Sequence, residues 1–117
     1  MPSLTWSTAL TANQLGYNPL AGWQYEYVPQ QWPAGAVVKL LTGSTDVNQR
    51  LTVYAGSQTI QERSPIQSGA TSGVMPSELT TAPVMFMAAP GDRLKLAIDE
   101  VAGGTPTTVG VIVIEPV

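Results

Sequence analysis

The side chains of this chain limit the chemistry it can perform. Its 117 residues include no Cys and no His. Without Cys there is no thiolate nucleophile, no zinc–thiolate centre and no disulfide framework. Without His the commonest general base and metal ligand is missing. Gly69–Gly73 has the pattern G-x-T-x-G, but a nucleophile elbow needs a preceding strand, a following helix and a base. The sequence predicts a flexible Gly/Ser loop there instead.

The acidic residues do not form pairs suited to acid–base catalysis or metal binding. Asp99 and Glu100 are adjacent, and adjacent residues of a strand point to opposite faces. Asp46-Val47-Asn48 begins like a calcium loop, but the acidic ligands that should follow are absent. Asp92 follows Pro90-Gly91 and is expected to cap its own turn. We therefore predict that the chain is not an enzyme and holds no metal and no cofactor.

Charge and hydropathy exclude two classes of partner. The formal net charge is −3 and the pI is about 4.6, whereas binding to nucleic acid requires clustered Lys and Arg. No apolar run approaches the roughly 20 residues that a membrane span needs. Met1–Thr5 lacks a basic segment followed by an apolar one, so no export signal is expected. We predict no nucleic-acid partner and no membrane partner.

Short β-strands separated by Gly and Pro dominate the pattern. Leu94, Leu96 and Ile98 alternate with polar neighbours, as in a half-buried strand. Thr107–Ile114 is apolar on both faces, which predicts that both are covered. Eight such runs over residues 1–117 predict one all-β domain, an antiparallel sandwich or barrel. The predicted strands are Leu4–Ala9, Trp23–Val28, Ala36–Thr42, Arg50–Tyr54, Thr59–Glu62, Val84–Ala88, Asp92–Val101 and Thr107–Ile114.

A long segment without alternation interrupts this series. Arg63–Ala82 consists largely of Ser, Pro, Gly and Thr. A loop of that length inside a small domain is usually functional. We predict an arm around residues 63–82 that reaches a neighbouring molecule.

The aromatic residues are concentrated where charge is scarce. Glu26 is the single charged residue from Met1 to Val38, a stretch with all three Trp and three of the four Tyr. Large rings with few charges are typical of interface cores, although they also fill domain cores. Tyr17 and Trp32 lie beside turns and are expected to project outward. Trp23 and Tyr25 are assigned to the core. For Trp6, both the core and the interface stay open.

The chain resembles the small cement or decoration proteins of tailed bacteriophage capsids. The resemblance lies in size, the absence of Cys, weak acidity and β-rich character. It also lies in the residue pattern of three segments, Ala55–Pro65, Gly69–Pro76 and Pro90–Leu96. It implies a jelly-roll sandwich that sits on the outer capsid surface and bridges major capsid subunits. It implies no active site.

We therefore expect a structural virion protein, made in the host cytoplasm, whose partners are the major capsid protein and further copies of itself as a dimer or trimer. Two other functions stay open: a carbohydrate-binding module with Trp23, Tyr25 and Tyr27 on one strand face, and a minor jelly-roll capsid subunit. The residues predicted at the protein interface are Leu4, Tyr17, Trp32, Gln67, Ser68, Thr71, Val74, Met75 and Pro76.

Overall fold

The computed structural model describes residues 3–76, 83–101 and 103–117. Over these residues the chain forms seven β-strands and no helix. Every predicted strand except Trp23–Val28 corresponds to one of them. In chain order they are β1 (Ser3–Ala9), β2 (Ala36–Ser44), β3 (Gln49–Ala55), β4 (Gln58–Pro65), β5 (Val84–Ala88), β6 (Leu94–Glu100) and β7 (Thr107–Pro116).

The strands form two antiparallel sheets that pack as a β-sandwich. The four-stranded sheet has the order β1-β7-β2-β5, and the three-stranded sheet has the order β4-β3-β6. The prediction of an all-β antiparallel sandwich is confirmed. The jelly-roll topology stays a prediction, since a jelly roll has eight strands and the described residues contain seven.

The core lies between the two sheets, where the period-two pattern places it. On the three-stranded sheet, Leu51 of β3 is opposite Ile98 of β6, and Val53 is opposite Leu96. All four side chains are at most 1% exposed. They face an equally buried row from the four-stranded sheet, which includes Val38, Leu40, Ile112 and Ile114.

Gly110 of β7 allows the largest core side chain to fit. Trp6 of β1 is opposite Gly110, and its indole occupies the space beside the Gly110 backbone. A Cβ atom at Gly110 would overlap the six-membered ring of Trp6, with Cζ2, Cε2 and Cη2 all well inside van der Waals contact. Trp6 is 7% exposed, so the structure assigns this ring to the core.

The predicted strand at Trp23–Val28 is wrong, and its place is taken by an irregular segment, residues 14–28. Three consecutive tight turns run through it, closed by the bonds Ala21 N to Asn18 O, Trp23 N to Leu20 O and Glu26 N to Trp23 O. Pro19 and Gly22 favour such turns. The alternation of aromatic residues therefore reflects turns, and not a pleated strand.

The irregular segment nevertheless hydrogen-bonds along the second edge of β6. Ile98 N donates to Tyr17 O at 2.9 Å, and Leu94 N donates to Glu26 O at 2.7 Å. Between them, Leu96 N donates to the side-chain Oδ1 of Asn18 at 3.4 Å, where a strand would offer a carbonyl. The segment thus covers this edge as an irregular fourth strand would.

An ion pair fastens the far end of the irregular segment. Arg93 Nε donates to Glu26 Oε2 at 2.8 Å, and Arg93 Nη2 lies 2.7 Å from the same oxygen. This hydrogen bond, together with the negative charge of Glu26, raises the pKa of the Arg93 guanidinium above its ordinary value.

No part of the chain that the structure describes forms a helix long and apolar enough to cross a membrane.

Candidate protein-binding surface

The outer face of the four-stranded sheet carries few charges, with apolar side chains on β2, β5 and β7 beside hydroxyl side chains on β1. Residues directly opposite each other across antiparallel strands share a face. Val111 is opposite Thr5 on one side and Leu41 on the other, and Lys39 is opposite both Val113 and Met85. We define the outer face by the residues that this register brings together: Ser3, Thr5, Ser7, Val37, Lys39, Leu41, Met85, Met87, Val109, Val111, Val113 and Glu115.

Two of the exposed side chains on the outer face are large and apolar. Met85 is 59% exposed and Met87 is 61% exposed, while Val111 and Val113 are half-buried. Lys39 and Glu115 are the two charged residues of the set. Sequence analysis predicted that β7 is covered on both faces. Its inward face is covered by the core, and over the described residues its outward face is covered only at Val109, which is fully buried.

The outer face of the three-stranded sheet is polar by contrast. Arg50 is opposite Asp99 there, and Tyr54 is opposite Lys95, whose Nζ lies 5.6 Å from the Tyr54 ring centroid. Arg63 Nε lies 3.2 Å from Asp99 Oδ2. Tyr54, Arg63 and Asp99 border a shallow groove of about 440 Å³. The outer face of the three-stranded sheet therefore carries more charged side chains than that of the four-stranded sheet.

The predicted arm is folded back on the four-stranded sheet over its described part. β4 continues to Pro65, so the loop begins at Ile66 rather than at Arg63. Ser44 N donates to Gln67 O at 2.9 Å, and Ala70 N donates to Ser44 O at 3.0 Å. Gly73 N donates to Ser7 Oγ at 3.0 Å. The loop thus lies over one end of the outer face. Residues 77–82 of the predicted arm lie outside the described residues.

The loop covers Val109 because Gly43 lets it approach. A Cβ atom at Gly43 would lie 3.1 Å from Ala70 Cβ and 3.3 Å from Val109 Cγ2. A pocket of about 180 Å³ lies between Gly43 and the loop, and all the predicted interface residues of the loop line it. Contact of these residues with a partner stays a prediction. They are Gln67, Ser68, Thr71, Val74, Met75 and Pro76.

Three rings of the N-terminal third pack against one another. Trp23 and Tyr25 meet edge to face with centroids 5.5 Å apart, and Tyr25 stacks on Trp32 at 6.0 Å. All three are half-buried against the core. Trp32 does not project outward as expected, because its ring is held by Tyr25. Tyr27 stands apart and is 57% exposed. The strand-face platform expected for sugar binding is therefore not formed.

Tyr17 also points inward, contrary to expectation. It forms a bridge with Ile98, whose side chain faces the core, and its phenol oxygen lies 2.9 Å from Thr8 Oγ1 on β1. The half-buried ring thereby ties the irregular segment to the opposite sheet. Leu4 of β1, another predicted interface residue, is half-buried against the core as well. Contact of Tyr17, Trp32 or Leu4 with a partner stays a prediction.

Tyr17→Phe removes this link between the sheets without removing the ring. We expect the free energy of unfolding to fall by about 1 kcal/mol, the usual net contribution of one partly buried hydrogen bond. Urea unfolding followed by tryptophan fluorescence measures the change. Thr8→Val should cause a similar loss, and the double variant should lose little more than either single one. Additive losses would show that the two oxygens do not interact.

The carboxylates are engaged in holding the backbone. Glu100 is 1% exposed, and its Oε2 accepts hydrogen bonds from Asn13 N at 2.8 Å and Gly103 N at 2.9 Å. Asp99 lies on the opposite side of the strand, where Oδ1 accepts from Gly16 N. Asp92 Oδ2 accepts from Ala89 N at 3.0 Å and caps its turn as predicted. Among the described residues, no three His, Cys, Asp or Glu side chains gather in a way that could hold a metal ion.

Most of the outer face is not evident from the sequence. The exposed Met85 and Met87 were not among the predicted interface residues, although they alternate with Val84 and Phe86 in an uncharged run. Comparison with known proteins adds no relative. No protein-family model, curated protein or solved structure matches this chain. The difference in charge between the outer faces of the two sheets is therefore the observation that bears most on function.

Proposed function

We propose that this chain is a structural virion protein that binds the outer capsid surface and bridges or stabilises major capsid subunits. The observation that carries the proposal is the apolar outer face of the four-stranded sheet, opposed by a polar face on the other sheet. A protein that offers one apolar face and one polar face is suited to lie flat on another protein. The choice of the capsid as this partner rests on the resemblance to decoration proteins.

The size of the outer face indicates weak binding per copy. Four strands spaced about 4.8 Å apart, over the five residues from Val37 to Leu41, give roughly 300 Å². Even counted as wholly apolar, this area would contribute at most about 7.5 kcal/mol at 25 cal/mol per Å². Association itself costs about 4–15 kcal/mol, so little remains for a single contact. A capsid repeats each site many times, and bridging two sites raises the overall affinity through avidity.

The scarcity of charge on the outer face also predicts how binding responds to salt. Screening weakens interactions between exposed charges, and Lys39 and Glu115 are the two charges in the set. Raising the salt concentration to about 0.5 M should leave binding nearly unchanged. Dissociation in moderate salt would contradict an apolar contact.

Val111→Lys tests the proposal at the centre of the outer face. Val111 lies between Thr5 and Leu41, so a lysine there places an ammonium group in the proposed contact. We expect at least about a tenfold loss of affinity, because an unpaired charge must be desolvated. Co-sedimentation of the protein with purified capsids measures it.

Ala97→Lys is the matched control, since Ala97 is half-buried on the outer face of the other sheet, opposite Thr52. It should bind capsids as the original protein does. Equal binding by both variants would refute docking through the outer face. Saturable quenching of tryptophan fluorescence by a glycan would instead support a carbohydrate-binding module.

A further inference from the structure

The edges of the two sheets are protected to very different degrees. Unpaired edge strands attract other strands, and proteins blunt them with charges, prolines and bulges. On the three-stranded sheet, β4 carries Glu62 and Arg63, ends at Pro65, and has two register shifts against β3. The other edge, along β6, is covered by the irregular segment, residues 14–28. Both edges of this sheet are therefore closed to another strand.

The β5 edge of the four-stranded sheet has none of these devices. Val84–Ala88 contains no charge and no proline, and it pairs with β2 in unbroken register. Among the described residues, β2 is its one strand neighbour. The β1 edge also lacks charge and proline, but near its end Thr8 Oγ1 is hydrogen-bonded to the Tyr17 hydroxyl and Ser7 Oγ accepts from Gly73 N. Among the described residues, β5 is thus an edge open to a further strand.

We propose that β5 pairs antiparallel with β5 of a second copy of this chain, centred on Phe86. This register places Val84 opposite Ala88 of the second copy and Met85 opposite Met87 of the second copy. The five residues are uncharged and nearly symmetric about Phe86, so the strand complements itself without bringing like charges together. A strand from another protein would have to match this uncharged, symmetric sequence, whereas β5 of a second copy has the same sequence and matches it.

Pairing would cover side chains that the edge leaves partly open. Val84 and Phe86 face inward yet remain half-buried, and Met85 and Met87 are about 60% exposed on the outer face. Two Phe86 rings would meet across the axis, and two Met85–Met87 pairs would form on the outer face. The two outer faces would merge into one surface of roughly 600 Å², the upper end of the largest apolar patch on typical monomers.

The paired length sets the expected strength. Five residues span about 17 Å, and stable dimers usually bury at least about 1,200 Å². We therefore expect a weak, reversible dimer whose population rises with protein concentration. The inference rests on the edge strand alone and not on capsid binding, so it is tested in the absence of capsids and can fail independently of the proposed function.

Sedimentation velocity of the full chain over about 1 µM to 1 mM tests the dimer, a range that spans weak association. Two double variants then test the register. Met85→Lys with Met87→Lys places lysine opposite lysine at both pairs, and should raise the dimer Kd by about tenfold or more. Met85→Lys with Met87→Glu places lysine opposite glutamate in the proposed register, and should dimerise nearly as the original chain does.

Both variants carry Met85→Lys, opposite Lys39, and they differ only at position 87. Met85 and Met87 are both exposed in the single chain. Equal thermal midpoints would confirm that both variants fold. A chain that remains monomeric up to 1 mM would overturn the proposal. If neither variant dimerised, the β5 pairing would be overturned in favour of contact through the outer face. If both dimerised equally, the interface would lie elsewhere.

Discussion

Gly110→Ala is expected to lower the free energy of unfolding by about 3 kcal/mol, the upper range for overpacking a filled core. The added methyl group would occupy the space that the Trp6 indole now fills. Trp6 is 7% exposed and has core residues around it, so the ring cannot move aside without opening a cavity. Urea unfolding gives the change in stability, and the tryptophan emission of the folded state should shift as the ring is displaced.

Gly104→Ala serves as the matched control for Gly110→Ala. A Cβ atom at Gly104 would meet atoms of Asp46 and Pro106 at 3.8 Å, an ordinary contact, so this variant should be close to the original in stability. Trp6→Leu should partly rescue Gly110→Ala, because the smaller side chain leaves room for the methyl group. Losses that simply add would show that the two positions are independent and that the close contact is not what limits stability.

Local patterns were sufficient for the regular strands and their tight turns. The alternation in Leu94, Leu96 and Ile98 predicted which side of β6 is buried, because the side-chain period of a strand is fixed at two. The dipeptide Pro90-Gly91 fits the two central positions of a type II turn. Gly91 has φ +82° and Asp92 N donates to Ala89 O, as that turn requires. In each case the deciding information lies within a few residues.

The irregular segment, residues 14–28, could not be predicted in this way. Trp23, Tyr25 and Tyr27 alternate as a strand would, yet their backbone is held by turns and by contacts with β6, far away in sequence. The hydrogen bond that Leu96 N makes to the Asn18 side chain shows why, since an amide oxygen replaces a backbone carbonyl there. Strand propensity describes a residue that fits a pleated surface, and these rings fit a stacked cluster equally well.

The candidate surface escaped prediction for a related reason. Each of its apolar residues looks ordinary within its own strand, and a surface appears only when sheet order places Met85 beside Lys39 and Val111 beside Leu41. Sheet order depends on contacts between distant segments. The sequence analysis favoured rings near turns, but Tyr17 and Trp32 are held against the core. The charge-poor stretch from Met1 to Val38 supplies four of the twelve residues of the outer face, and the other eight lie beyond it.

Leu20→Ala is expected to lower the free energy of unfolding by about 3 kcal/mol, within the usual range for truncating a fully buried leucine. Leu20 is 0% exposed although it lies in the irregular segment and belongs to no strand. Its side chain reaches the shared core between the sheets, so its loss would leave a cavity there. Chemical unfolding followed by circular dichroism gives the measurement.

Leu15→Ala provides the comparison within the same segment. Leu15 is 71% exposed, so its truncation removes little buried area and should change stability by less than about 0.5 kcal/mol. A large difference between the two variants would mean that the irregular segment is part of the cooperative core, anchored by Leu20 and closing the edge of β6. If Leu20→Ala were as mild as Leu15→Ala, the segment would be a detachable cover, and the edge of β6 would be free to pair with another strand.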